Sequence, residues 1–160
     1  MLKHLLLPLG LASSCGALAQ PSCPPALVQV VLPGGEVVPA AGAPMQGLIT
    51  LQVVPNPECP GAAAFRFRNA EYTLVRNGRP VLPTFNLRQP QADLRPIMRA
   101  ARPGDQVHVF IAYQNLGIVA ADGRVQLYQP PAPPTDKRGQ VDLIPDAAKG
   151  ISFNWKLLAR

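Results

Sequence analysis

Charge is scarce in this sequence. Charged residues make up 15% of the 160 positions, and only nine are acidic. That is thin for a cytosolic enzyme surface. Apolar runs are also short: none approaches the roughly 20 residues needed to cross a bilayer as a helix. Histidine and serine are nearly missing. Beyond the first nineteen residues the chain holds one histidine, His108, and two serines, Ser22 and Ser152. Neither serine lies in a nucleophile-elbow context. Asp142 and Asp146 are four apart, but Pro145 works against a helix presenting both on one face. No calcium loop, zinc motif or phosphate-cradling glycine loop occurs, and Gly34-Gly35 reads as a turn. These gaps predict a protein that is not an enzyme and that carries no metal and no cofactor.

What is abundant is proline, at 20 residues. Proline in a helix interior costs about 3 kcal/mol, so this density excludes a bundle of long helices. Apolar residues reach 48%, enough for a core. Their organisation argues against disorder.

The first nineteen residues have the layout of a secretory signal peptide. Lys3 and His4 form a basic start, an apolar stretch follows from Leu5 to Ala12, and Ala17-Leu18-Ala19 supplies the small residues read at cleavage. The expected cut lies between Ala19 and Gln20, which directs the chain to the periplasm or beyond. A competing reading makes Cys15 a lipidated cysteine within Ser13-Ser14-Cys15-Gly16. With export, Cys23 and Cys59 remain as an even pair in an oxidising compartment. They are expected to form a disulfide, the alternative being two free thiols. Chain-entropy arithmetic gives such a bond about 3–4 kcal/mol.

Residues 20–160 read as one domain in which period-two alternation dominates. Ile49, Leu51 and Val53 share a face, as do Phe65 and Phe67, and as do Val107, Val109, Ile111 and Tyr113. Val125 and Leu127 alternate with Arg124, Gln126 and Tyr128, which predicts the two aliphatic residues facing inward. The clearest segment sets Ile151, Phe153, Trp155 and Leu157 against Ser152, Asn154 and Lys156. Leu27 to Leu32 is a more uniformly apolar strand. Asn77-Gly78 marks a type I′ hairpin, and Asp122-Gly123 is expected to turn the chain in the same way. Leu94, Ile97, Met98 and Ala101 follow helical spacing, with Asp93 as a cap, Pro96 in the first turn and Arg102-Pro103-Gly104 as the stop. A helix of two turns is expected. Residues 129–150 begin with a proline-rich strap. The pattern predicts an all-β, antiparallel β-sandwich with one short helix.

Arg95, Arg99 and Arg102 project from the exposed side of that helix. They are the candidate binding residues, since arginine forks suit carboxylates. The formal net charge is +6. The bland alternative is a solvated helix face. Nucleic acid is not expected, because the chain reads as exported and the helix lacks interleaved aromatics. Phe65, Phe67, Phe153 and Trp155 would make a sugar platform if exposed, but at strand alternation they read as core.

Between Phe65 and Tyr128 the motifs run in a particular order. A Phe-x-Phe strand leads to YTLVRNGRPV at Tyr72–Val81, then to IMRAARPGDQVHVF at Ile97–Phe110, then to ADGRVQL at Ala121–Leu127. A closing Ile-x-Phe strand follows at Ile151–Phe153. This resembles the C-terminal immunoglobulin-like domain of the gliding-motility protein GldM family, part of the type IX secretion apparatus of Bacteroidetes-type bacteria. The resemblance implies an immunoglobulin-like sandwich and a role in envelope machinery, with no catalytic residues to carry over. The family's motor component has an N-terminal transmembrane helix and serial domains, and this chain departs from that plan, as it does in its insertion from Pro130 to Gly150. The expected function is an exported, non-enzymatic interaction module of the cell envelope that binds an acidic protein partner. The alternative is a carbohydrate- or surface-binding adhesin domain.

Overall fold

The computed structural model describes residues 26–58, 64–130 and 149–159. Its strands in chain order are β1 (Ala26–Val31), β2 (Ala43–Pro44), β3 (Leu48–Pro55), β4 (Ala64–Phe67), β5 (Ala70–Arg76), β6 (Arg79–Pro80), β7 (Phe85–Leu87) and β8 (Gln91–Asp93). A short helix, α1 (Arg95–Met98), leads to β9 (Gln106–Ala112). A 3₁₀ turn at Tyr113–Asn115 then precedes β10 (Leu116–Val119), β11 (Val125–Leu127) and β12 (Gly150–Leu158).

The largest sheet runs β2-β12-β9-β5-β6, with β7 also paired to β5. A second sheet, β1-β3-β8, faces it, and a third, β11-β10-β4, flanks them. The inward side chains of the first two interlock. Val28, Val30, Ile49 and Leu51 from one meet Leu74, Val107, Val109 and Trp155 from the other in a single core. The chain is an all-β sandwich. Pairing is antiparallel except where β12 meets β2, which run parallel through Leu157 and Leu158.

Most of the sequence expectations hold because a half-buried strand must alternate. In β9, Val107, Val109 and Ile111 are fully buried, and in β12 Ile151, Trp155 and Leu157 are buried. The Asn77-Gly78 hairpin has φ of 51° and 76°, as a type I′ turn requires. Three expectations are corrected. The Asp122-Gly123 turn is not type I′, since only Gly123 has positive φ. The Gly123 N–H bonds Ala120 O and the Ala120 N–H bonds Arg124 O, giving a three-residue loop that closes on a left-handed glycine.

The facing of β11 is also reversed. Val125 and Leu127 are 41% and 51% exposed. Tyr128 turns inward instead, with its ring 6.5 Å from Phe65 and 5.2 Å from Tyr113. The register explains this. Val125 and Leu127 stand opposite Val119 and Gly117, on the side away from the Phe65–Phe67 aromatic face. The larger ring takes the covered side. Third, α1 is one turn rather than two.

Candidate functional site

The helix is held in place before any charge is considered. Leu94 and Ile97 are buried, and the Leu94 N–H bonds Gly47 O at 2.8 Å. The N-cap is Leu94 rather than the expected Asp93, and Asp93 Oδ1 accepts the Arg95 N–H at 3.0 Å from one position before the cap. The N–H groups of Ala100 and Ala101 both reach Ile97 O, and the chain then leaves through Gly104 at φ 96°. A left-handed residue there favours glycine. The Gly104 N–H bonds Leu157 O and the Leu157 N–H bonds Asp105 O, each at 2.7 Å, which fastens the loop to the end of β12.

All three expected arginines are exposed, but the shorter helix carries only Arg95: Arg99 is its C-cap and Arg102 follows in the loop to Asp105. They are not equivalent. Arg95 is folded back on Asp93, with Nε 2.9 Å from Oδ1 and Nη2 2.6 Å from Oδ2. The guanidinium hydrogen bond, then the backbone one, holds the Asp93 carboxyl down at about 2. Arg95 is thus already matched by a carboxylate. For Arg99 and Arg102 the structure shows no ion pair among the described residues.

The sequence reading missed Arg76. It lies at the end of β5 and reaches Asp105, 29 positions away. Arg76 Nε bonds Asp105 Oδ1 and Nη2 bonds Oδ2, both at 2.8 Å, while Nη2 also donates to Ala100 O at 2.9 Å. Asp105 is buried, and its Oδ2 accepts the Arg102 N–H at 2.8 Å as well. These bonds, the Arg76 side chain's first, hold the Asp105 carboxyl below the usual carboxylate range. One ion pair therefore joins the hairpin, the helix exit and the start of β9. The available signal was the Arg-x-x-Arg spacing around Asn77-Gly78, which places Arg76 and Arg79 directly across the hairpin from each other.

Next to this pair is an open cleft of ≈ 510 Å³ lined by Arg76, Asn77, Arg79, Pro80 and Val81. Arg79 is exposed, and no ion pair to it is found among the described residues. What the arrangement can do chemically is hold an anion. Guanidinium groups that lack a carboxylate partner form paired, charge-assisted hydrogen bonds with one.

The other sequence features fall elsewhere. His108 is on the outer face of the main sheet, with Thr73 and Asn154 as its cross-strand neighbours. Trp155 is buried and stacks with half-buried Phe153 at 6.0 Å, while Phe65 and Phe67 are half-buried against the core. These four side chains make no exposed platform. Among the described residues no group of three His, Cys, Asp or Glu side chains is placed to hold a metal. No helix among them is long and apolar enough to cross a membrane. Cys23, Cys59, the expected cleavage point and most of the proline-rich strap lie outside the described residues. No family model, curated protein or solved structure matches this chain.

Proposed function

We propose that this chain is an exported, non-enzymatic interaction module of the bacterial cell envelope, accessory to gliding-motility or type IX secretion machinery. It binds an acidic protein surface through the basic face at α1. The observation that carries this reading is the pairing pattern of the arginines. Arg95 is matched by Asp93, whereas Arg99 and Arg102 are exposed with no ion pair among the described residues, on a loop held by the Arg76 bond to Ala100 O and the Asp105 bond to the Arg102 N–H. A rigid backbone lowers the entropy lost when a partner docks. The signal-like first nineteen residues and a motif order that resembles the GldM domain's support the cellular setting.

The test is capture from an envelope fraction with immobilised wild-type protein and with an Arg99→Glu/Arg102→Glu variant. Capture of an acidic partner that weakens with salt and is lost in the variant supports the reading. Capture that survives the double reversal overturns it. Salt-indifferent binding of a neutral glycan would support the adhesin alternative instead.

A further inference from the structure

The cleft at the β5–β6 hairpin points to a second half of the same surface. Arg76 and Arg79 stand opposite each other across the two-residue turn. Like charges in that position repel. Asp105 neutralises Arg76, but nothing among the described residues neutralises Arg79. The hairpin therefore carries one compensated and one uncompensated guanidinium at the mouth of a ≈ 510 Å³ cleft.

The same ion pair connects the cleft to the helix face. Arg76 Nη2 bonds the carbonyl of Ala100, the residue after Arg99, and Asp105 Oδ2 bonds the N–H of Arg102. Arg99 and Arg102 flank these two backbone contacts, and Arg79 stands across the hairpin from Arg76, whose partner carboxylate is already fully used. Among the described residues Arg79 is left without an ion pair at this open cleft, the arrangement that draws in an anion.

We infer that this cleft is a carboxylate-binding site, completed by Arg79. It takes a glutamate or aspartate side chain of an acidic segment that also spans Arg99 and Arg102. This inference rests on the acidic-partner reading above and adds the hairpin to it. Arg79 contacts the ligand carboxylate directly. Arg76 is a positioning residue, because both of its carboxylate-facing nitrogens are held by Asp105.

The experiment uses a fluorescein-labelled oligoglutamate peptide and measures anisotropy against the whole folded protein, with an oligoglutamine peptide as control. Arg79→Glu should weaken binding roughly tenfold or more, as expected for loss of a charge-assisted hydrogen bond to a carboxylate. Arg88→Glu, an exposed reversal in the turn between β7 and β8, should change it little. Arg79→Lys should fall between wild type and Arg79→Glu, since an ammonium keeps the charge without the fork. Thermal midpoints check that each variant folds. If Arg99→Glu/Arg102→Glu weakens binding while Arg79→Glu does not, the cleft inference fails and the helix-face reading stands. Equal losses in Arg79→Glu and Arg88→Glu also overturn the cleft, leaving only diffuse charge attraction. No binding of oligoglutamate by the wild type overturns both.

Discussion

Arg76 and Asp105 are joined by two parallel hydrogen bonds of 2.8 Å, one from each of two guanidinium nitrogens to separate carboxylate oxygens. Among the described residues the pair is the one ion pair that ties the hairpin tip to the loop into β9, and its acid is buried. Forks of this kind fix geometry as well as energy.

That pair sets the acid limb of stability. The Asp105 carboxyl is held below its usual value, chiefly by the Arg76 hydrogen bond. An unfolded aspartate titrates near 3.9. The stability Asp105 supplies is therefore complete above about pH 4 and is lost as pH falls through the lower folded value. Asp105→Asn should lower the thermal midpoint at pH 7 and flatten its decline below pH 4. Asp93, held at about 2 by Arg95, leaves a smaller acid limb, because an exposed pair contributes little. Melting curves across acidic pH check this. Parallel acid limbs in the variant and the wild type would refute the assignment.

The alkaline side belongs to the tyrosines. All three, Tyr72, Tyr113 and Tyr128, are raised above the usual phenol value, each first by burial. Asp93 adds to the shift at Tyr72, whose hydroxyl donates to the Asp93 carbonyl at 3.3 Å. Protonated phenols are favoured in the fold, so stability is complete below about pH 10 and falls as pH rises through the folded values. Phenolate absorbance should rise at higher pH in the native protein than in the unfolded chain. A normal titration near 10 in the native state would contradict the packing.

Trp155 reports the core. It is 3% exposed and is the only tryptophan. Its emission should be blue-shifted in the native protein and move red in denaturant. Trp155→Ala should cost about 3–5 kcal/mol, read from chemical denaturation. Native emission at the position of exposed indole would place β12 the wrong way round.

Two glycines separate backbone from side-chain constraints. A Cβ on Gly150 would come within 2.3 Å of the Ile111 carbonyl and 2.8 Å of the Phe110 ring. On Gly117 its nearest neighbour would be a Val125 methyl at 2.5 Å, on a half-exposed edge side chain that can turn away. Gly150→Ala should destabilise by about 1–3 kcal/mol or more, because the β9–β12 ladder must open to admit it. Gly117→Ala should cost less. The reverse order in denaturation midpoints would contradict the β9–β12 register.

Strand periodicity made much of this fold legible. Val107, Val109 and Ile111 alternate because one face of β9 is covered and the other is not. Alternation alone could not say which face of β11 is covered, since Val125 and Leu127 on one side and Tyr128 on the other are both apolar enough to be buried. The third sheet's pairing decided it. At the proposed binding face, Arg95, Arg99 and Arg102 stood out from helical spacing, although only Arg95 falls within α1. Arg76 was not, because its partner Asp105 lies 29 positions away and reads locally as turn chemistry after Gly104. Asp93 lies only two positions from Arg95, so that match was within local reach, whereas the lack of an ion pair to Arg79 among the described residues was not legible along the chain. A long-range pair such as Arg76–Asp105 is a property of the folded neighbourhood, which no local window along the chain reveals.

The most direct measurement of the central claim is a backbone amide NMR titration of the protein with oligoglutamate. The account predicts shifts concentrated at Arg79, Arg99, Ala100 and Arg102, fading as salt is added. Shifts centred instead on the outer sheet face at His108, Phe110 and Asn154, or no shifts at all, would contradict it.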